Sequence, residues 1–312
     1  MTAVANERQP RTAFAVRDPL RWSDFAGLVR AGEDLGYEAV FLPEIAGRDA
    51  FAALTGLAAE TRELRLGTGI VPMTSRSVQL TAMGAATVHE RSGGRAVLGI
   101  GTGPAVPGAL ERLGAQVLTL RGLLAGQAVE HEGRSLSLSL DLGAAPPPVW
   151  ISALGDRALR LAGEVADGVI LNWCTPERAA TATVQVRQAA RAAGRDAGAI
   201  TIAVYVRGSL GADPVPAGEA LAAAAGEYAR YPAYARQFRA MGLAEEAGRA
   251  AAGDPGPLAA AVCLPLDEDR ARARLEVFRE AGADLPVVYP IGGGASAPAS
   301  LLATLEALAP RG

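Results

Sequence analysis

Glu44 and Asp49 bracket a short polar segment, Pro43-Glu44-Ile45-Ala46-Gly47-Arg48-Asp49, directly after an apolar run at 39–43. A carboxylate placed there and partly withdrawn from water can serve as a general acid or base. It can equally pair with an arginine such as Arg48 and hold the loop, while Asp49 caps the helix that follows. The rest of the titratable inventory is sparse. All thirty Lys+Arg positions are arginine, so Schiff-base, pyridoxal-phosphate and Walker-type chemistry, which need a lysine amine, are excluded. Histidine is confined to His89 and His131, and cysteine to Cys174 and Cys263, too few and too scattered for a structural zinc site. No G-x-S-x-G elbow, H-E-x-x-H pair or carboxylate cluster with metal spacing occurs. Chemistry in such a chain is borrowed from a cofactor.

Several segments could hold that cofactor. Gly67-Thr68-Gly69-Ile70-Val71-Pro72 and Gly99-Ile100-Gly101-Thr102-Gly103-Pro104 place glycines where a planar ligand can approach the backbone closely. Ser152-Ala153-Leu154-Gly155-Asp156-Arg157 runs straight into a helix, offering free N–H groups to a phosphate, or is an ordinary tight turn. Asn172 and Trp173 could hydrogen-bond and stack on a ring, or line the core. Tyr228, Tyr231, Tyr234 and Phe238 could wall a substrate pocket or simply pack. The run Gly292-Gly293-Gly294-Ala295-Ser296-Ala297 has no following strand to complete a dinucleotide fold, but could help grip a phosphate. His89 falls near a helix end away from these segments, and His131 in a polar turn; both read as structural or solvent-exposed.

Eight short apolar runs, each followed by an amphipathic helical pattern, must position these groups. The strands are expected at 12–16, 39–43, 65–71, 96–101, 149–153, 168–173, 200–207 and 285–291, rich in Val, Ile, Leu and Ala without polar alternation, as parallel strands covered on both faces require. Helices are expected at 20–35, 49–61 and 77–91, among others. Repetition of this unit over 312 residues points to a (β/α)8 TIM barrel, whose working groups lie at the C-terminal ends of its strands. Residues 1–11 read as a flexible tail and 12–312 as one barrel domain. Two stretches break the rhythm: a hairpin-like segment at 130–148, and an insertion at 208–266 after strand seven, with an Ala-rich helix at 218–226 after Pro214 and Pro216. An insertion of that length is expected to cover the barrel mouth.

Net charge is −3, which offers no basic field to nucleic acid or an anionic membrane. The polar N-terminus and the lack of any run near 20 apolar residues point to a cytoplasmic protein with reduced, buried cysteines.

Residues 36–44 (Gly-Tyr-Glu-Ala-Val-Phe-Leu-Pro-Glu), 66–72, Ser92-Gly93-Gly94-Arg95 with 98–103, and 149–155 leading to Ala166-Asp167-Gly168-Val169 are together distinctive. Through them the chain resembles the luciferase-like monooxygenase superfamily, and within it the oxidoreductases that use the deazaflavin coenzyme F420. The resemblance runs over 12–173 and resumes at 272–310. It implies a TIM barrel with an insertion after strand seven, commonly a homodimer, and a deazaflavin or flavin ring at the mouth. The family's strand-three bulge, which can carry a non-proline cis peptide beneath the ring, maps onto Gly69-Ile70. Its strand-two acid maps onto Glu44, and its phosphate turn onto Leu154-Gly155. The chain departs from relatives that have two glycines in that turn, and from those with a histidine where it has Ile45.

The leading expectation is therefore an F420-dependent oxidoreductase. Hydride would pass between the deazaflavin and a small organic substrate, reducing an activated C=C, C=N or C=O or oxidising an alcohol. Glu44 would orient or protonate; Thr68, Gly69, Ile70, Val71, Thr102, Gly103, Ala153, Leu154, Gly155, Asn172 and Trp173 would contact cofactor; Asp49, Tyr228 and Tyr231 would line the substrate pocket; and no metal is called for. Two alternatives stand beside it: an FMN-dependent monooxygenase fed by a separate reductase, and a non-catalytic barrel that binds a flavin or a partner.

Overall fold

The computed structural model describes residues 11–17, 20–103, 106–143, 145–211, 213–292 and 297–311. The chain begins β1 (Ala13–Ala15), α1 (Trp22–Asp34), β2 (Ala39–Leu42), α2 (Ala50–Ala58), β3 (Arg65–Thr68), β4 (Val71–Pro72), α3 (Val78–Arg91) and β5 (Ala96–Gly101). It continues through α4 (Ala109–Leu124), a hairpin of β6 (Val129–His131) and β7 (Arg134–Leu136), β8 (Val149–Ser152), α5 (Asp156–Val165), β9 (Gly168–Asn172), α6 (Pro176–Ala192) and β10 (Thr201–Gly208). Four helices follow, α7 (Pro214–Ala229), α8 (Pro232–Ala240), α9 (Ala244–Ala251) and α10 (Gly256–Val262). The chain then ends in α11 (Glu268–Glu280), β11 (Leu285–Pro290) and α12 (Ala297–Ala307).

The parallel strands run β1-β2-β3-β5-β8-β9-β10-β11 and return to β1, closing the barrel; β4 continues the line of β3 and pairs with β5. All eight expected strands are present. They form because their residues are buried on both faces. Outward positions such as Val40, Leu66 and Leu98 pack under the helices, while inward positions form a separate cluster of Phe41, Trp150, Ile170, Tyr205, Val287 and Tyr289. The rings of Phe41 and Trp150 lie 5.5 Å apart, and Phe41 and Tyr205 6.2 Å, so the interior is a packed plug. Gly168 makes room for that plug, since a Cβ there would sit 2.6 Å from the Trp150 indole.

Helix starts follow their caps: Asp49, Ser77 and Thr175 each accept a backbone N–H from the first turn of α2, α3 and α6. The Ala-rich helix expected at 218–226 is longer, 214–229. Pro214 occupies its first position, where the missing N–H has no helical partner to lose, and Asp213 caps it. In the hairpin, the Ser-Leu alternation extends as strand only to Leu136. Helices α7–α10 share an apolar core with Trp173, which follows β9, and Ile291, which follows β11; they thus pack at the C-terminal end of the barrel. No described helix is long and apolar enough to cross a membrane.

Candidate functional site

The C-terminal ends of the strands bring most of the expected residues to one mouth. Between β3 and β4 the peptide Gly69–Ile70 is cis, at the position expected for the bulge. Its neighbours hold it from both sides: Gly69 N donates to Leu42 O (2.7 Å) and Glu44 N to Ile70 O (3.1 Å). A side chain at Gly69 would run into the Tyr205 hydroxyl, so only glycine fits there. Ile70 projects onto the top of the interior plug. Its Cδ1 lies 3.0 Å from where a Gly101 Cβ would stand, and that same point is 2.6 Å from Ser152 Oγ. An apolar shelf thus runs from Ile70 across Gly101 to the end of β8.

Thr68 and Val71 flank the bulge with buried side chains. The Thr68 hydroxyl donates to Gly99 O (2.7 Å) and accepts from Gly99 N (2.9 Å). Both residues can meet a ligand only through their backbone. Thr102 is half-buried, its hydroxyl turned to Gly103 O (3.1 Å), and Gly103 is exposed with φ +69°.

Beyond the shelf, Ala153 is buried, Leu154 half-buried and Gly155 exposed. Gly155 is the N-cap of α5, whose first turn presents backbone N–H groups outward. Arg178, on the first turn of α6, reaches this turn; its Nη2 donates to Leu154 O (2.9 Å) and to Asp156 Oδ1 (3.1 Å). The turn therefore combines a helix N-terminus, which attracts an anion, with a guanidinium whose charge is already paired with Asp156. Arg178 was not among the expected residues because α6 begins twenty residues after the turn it serves.

Glu44 takes the loop-holding alternative, but with another arginine. Oε1 accepts from Arg76 Nε (3.1 Å) and Oε2 from Ala50 N (3.0 Å), so both oxygens are engaged. Arg76 also pairs with Asp49, which caps α2, and lies over the Phe51 ring. Glu44, Arg76 and Asp49 form a clasp tying the β2–α2 loop to the start of α3. Asp49 lies in this clasp. Arg48 instead donates to Leu20 O (2.5 Å).

Asn172 and Trp173 are engaged by their own chain. Asn172 Nδ2 donates to Tyr234 Oη (2.9 Å), and Oδ1 accepts from Arg207 Nη1 (2.5 Å). Trp173 is 1% exposed, so it offers no platform to a ring, contrary to the expectation. Its indole is covered by Arg207, whose Cζ stands 4.0 Å from the ring centroid, and Tyr228 packs at 4.9 Å. Trp173 holds φ +53°, a conformation L side chains rarely adopt, and Gln237 Nε2 donates to both Asn172 O (2.7 Å) and Trp173 O (2.6 Å). Its Nε1 is buried without a partner among the described residues. Tyr228 packs edge-on against Tyr234 (4.8 Å), while Tyr231 is largely exposed and donates to Glu227 (3.4 Å).

Burial pushes the Tyr234 and Tyr289 phenols up to about 12, against the opposing pull of Arg207. Both stay protonated at neutral pH. Burial likewise pushes the free thiols of Cys174 and Cys263 up to about 12, leaving them inert. His89 sits buried near the C-terminal end of α3 and His131 pairs with Thr119 in the hairpin, both away from the mouth. Most of the glycine run after β11, residues 293–296, lies outside the described residues. Among the described residues no group of His, Cys, Asp and Glu could hold a metal.

A family described as luciferase-like monooxygenase matches residues 5–285. The chain is 32% identical over 217 residues to a 5,10-methylenetetrahydromethanopterin reductase of Methanolobus tindarius, covering 65% of this chain and 66% of that protein. It is 31% identical over 207 residues to the reductase of the same name from Archaeoglobus fulgidus, covering 62% of each. The aligned part thus spans just under two-thirds of these relatives. Among solved structures, the coenzyme F420-dependent tetrahydromethanopterin reductase from Methanopyrus kandleri superposes with a TM-score of 0.76 at 20% identity, covering 96% of this chain and 97% of that one. An F420-dependent secondary alcohol dehydrogenase in complex with an F420-acetone adduct gives 0.77 at 17% identity, covering 96% and 99%. These two likenesses speak to the fold.

Proposed function

Because the chain belongs to the luciferase-like monooxygenase family, we propose that it is a hydride-transferring oxidoreductase using coenzyme F420 on a small organic substrate at the barrel mouth. The observation that carries the reading is the pairing of an apolar shelf at Ile70 and Gly101 with an anion-attracting turn at Leu154-Gly155 and Arg178. A planar ring with a phosphate-bearing tail needs these two features side by side. The names of the relatives, two reductases by sequence and two F420 enzymes by fold, support the same reading.

When bound, F420 supplies two-electron hydride chemistry that no side chain here can supply. The chain's own residues bind and orient. Ile70 and the backbone around it would support one face of the ring, and Gly101 and Gly103 would let it approach. The first N–H groups of α5, beside Arg178, would receive the phosphate. Glu44 acts by orientation: with both oxygens engaged, it fixes the loop beside the shelf through Arg76. The packed plug of Phe41, Trp150 and Tyr205 closes the floor against water. The reaction class is reduction of an activated C=C, C=N or C=O, or alcohol oxidation in reverse.

The test is a fluorescence titration of the purified protein with F420 and, separately, with FMN. F420 is expected to bind and FMN not to. Binding of FMN with no response to F420 would overturn the reading.

A further inference from the structure

Arg207 stands near the C-terminal end of β10, two residues beyond Tyr205 and on the same inward face. It is 2% exposed, yet among the described residues its guanidinium meets no carboxylate oxygen within 4 Å. Its one side-chain hydrogen bond runs from Nη1 to Asn172 Oδ1. The remaining surroundings are aromatic: Trp173 at 4.0 Å, Tyr289 at 4.8 Å and Tyr228 at 5.5 Å from Cζ. Glu227, on the last turn of α7, is held by Arg17 (3.6 Å) and by Tyr231. The Trp173 indole that the guanidinium covers has its buried Nε1 without an acceptor among the described residues.

A buried cation without a counter-charge is unfavourable, and chains normally supply one. The aromatic faces offset part of the cost, but they accept none of the N–H groups. What remains is the Nε–Nη2 edge of the guanidinium, the edge that receives a carboxylate through two parallel hydrogen bonds. All the unmet groups here are donors and the net charge of the cluster is positive. A neutral ligand would leave the charge uncompensated.

We propose that Arg207, backed by Trp173 Nε1, is the anchor for a carboxylate carried by the organic substrate. The inference rests on the hydride-transfer reading and narrows its substrate class to organic acids. Asn172 is a positioning residue: it holds Nη1, and through it the orientation of the free edge. Gln237 fixes the Trp173 backbone that sets the indole against the guanidinium.

The cofactor-free protein is titrated calorimetrically with acetate, crotonate and benzoate, and with the three corresponding amides. At least one acid is expected to bind about tenfold or more tightly than its amide. Arg207→Leu is expected to abolish that difference without lowering Tm, because it removes an uncompensated buried charge. Asn172→Asp, of nearly the same shape, places a carboxylate against Nη1 and is expected to abolish acid binding while holding or raising Tm. Equal binding of every acid and its amide overturns the proposal, as does undiminished acid preference in both variants. A loss of F420 affinity in Arg207→Leu matching the loss of acid binding would assign the anion to the cofactor and overturn the substrate role. Failure of the wild-type chain to bind F420 would sink the hydride-transfer reading alone, since the acid titration needs no cofactor.

Discussion

At the closed end of the barrel Arg95 makes five hydrogen bonds, whereas Arg207 at the mouth makes one. Arg95, just before β5, donates from Nε to Ser92 O (2.7 Å), from Nη1 to Thr61 Oγ1 (2.9 Å) and Leu64 O (2.6 Å), and from Nη2 to Ala58 O (3.1 Å) and Thr61 O (3.0 Å). The acids at that end are as fully engaged. Asp167 pairs with Arg121 and accepts from Val149 N (3.0 Å); Asp284 pairs with Arg187 (3.1 Å) and accepts from Ile202 N (2.8 Å). Each of these groups ties the start of one strand to its neighbour. The same fold therefore uses charge in two ways. The guanidinium of Arg95 is met on every side by its own chain, whereas that of Arg207 meets one amide oxygen and aromatic faces.

The largest effect is expected at Arg95. Arg95→Leu leaves four carbonyls and a threonine hydroxyl without their donor, and is expected to destabilise by roughly 3–5 kcal/mol. That is a fall in Tm on the order of 5–10 °C for a chain of this size. Arg207→Leu is expected to leave Tm in place. Thermal melts of the two variants side by side decide the matter: equal losses would make Arg207 a structural residue like Arg95, and would erase the contrast between the ends.

Much of this was legible before the fold was known. Parallel strands buried on both faces read as short apolar runs, so all eight could be located, and the bulge at Gly69-Ile70 came with the family resemblance. Arg207, which closes the strand expected at 200–207, was not singled out, because its surroundings come from the end of β9, α7 and β11, 35 residues upstream to 82 downstream. For the same reason Arg76 was not foreseen as the partner of Glu44, from which it stands 32 positions away. Arg48 was nearer in sequence but is turned to Leu20. The conformation of Trp173 had no signal in composition, since the Gln237 that bonds the carbonyls on either side of it lies 64 positions away. The long helix α7 was shortened in expectation because Pro214 and Pro216 read as a break, although proline suits a first turn.

A smaller effect is expected at Glu44. It belongs to the mouth by position and resembles the closed end in being fully engaged. Glu44→Gln keeps one acceptor for Ala50 N and loses the charge facing Arg76, for a loss of about 1 kcal/mol of stability. With F420 and an accepted substrate, the pH profile of turnover is expected to keep its shape. Disappearance of one limb of that profile would restore Glu44 as a proton donor and move it from the structural group to the catalytic one.

The smallest effect lies at the closed end and concerns acid. Glu33 is nearly buried beneath the start of β3. Burial alone would raise its pKa, but the backbone N–H groups of Leu64, Glu63 and Arg62, with the Arg62 charge, outweigh it and hold the carboxyl below its ordinary value of 4.5. A depressed folded-state pKa means that the unfolded chain binds the proton more readily. The stabilisation is thus complete above pH 4.5 and is lost as pH falls through the folded value. Chemical denaturation at a series of pH values from 6 downward is expected to show stability declining below about 4.5, less steeply in Glu33→Gln than in the wild type. Parallel declines in the two proteins would mean that the three N–H groups hold neutral and charged side chains equally, and that engagement at this end is geometric and not electrostatic.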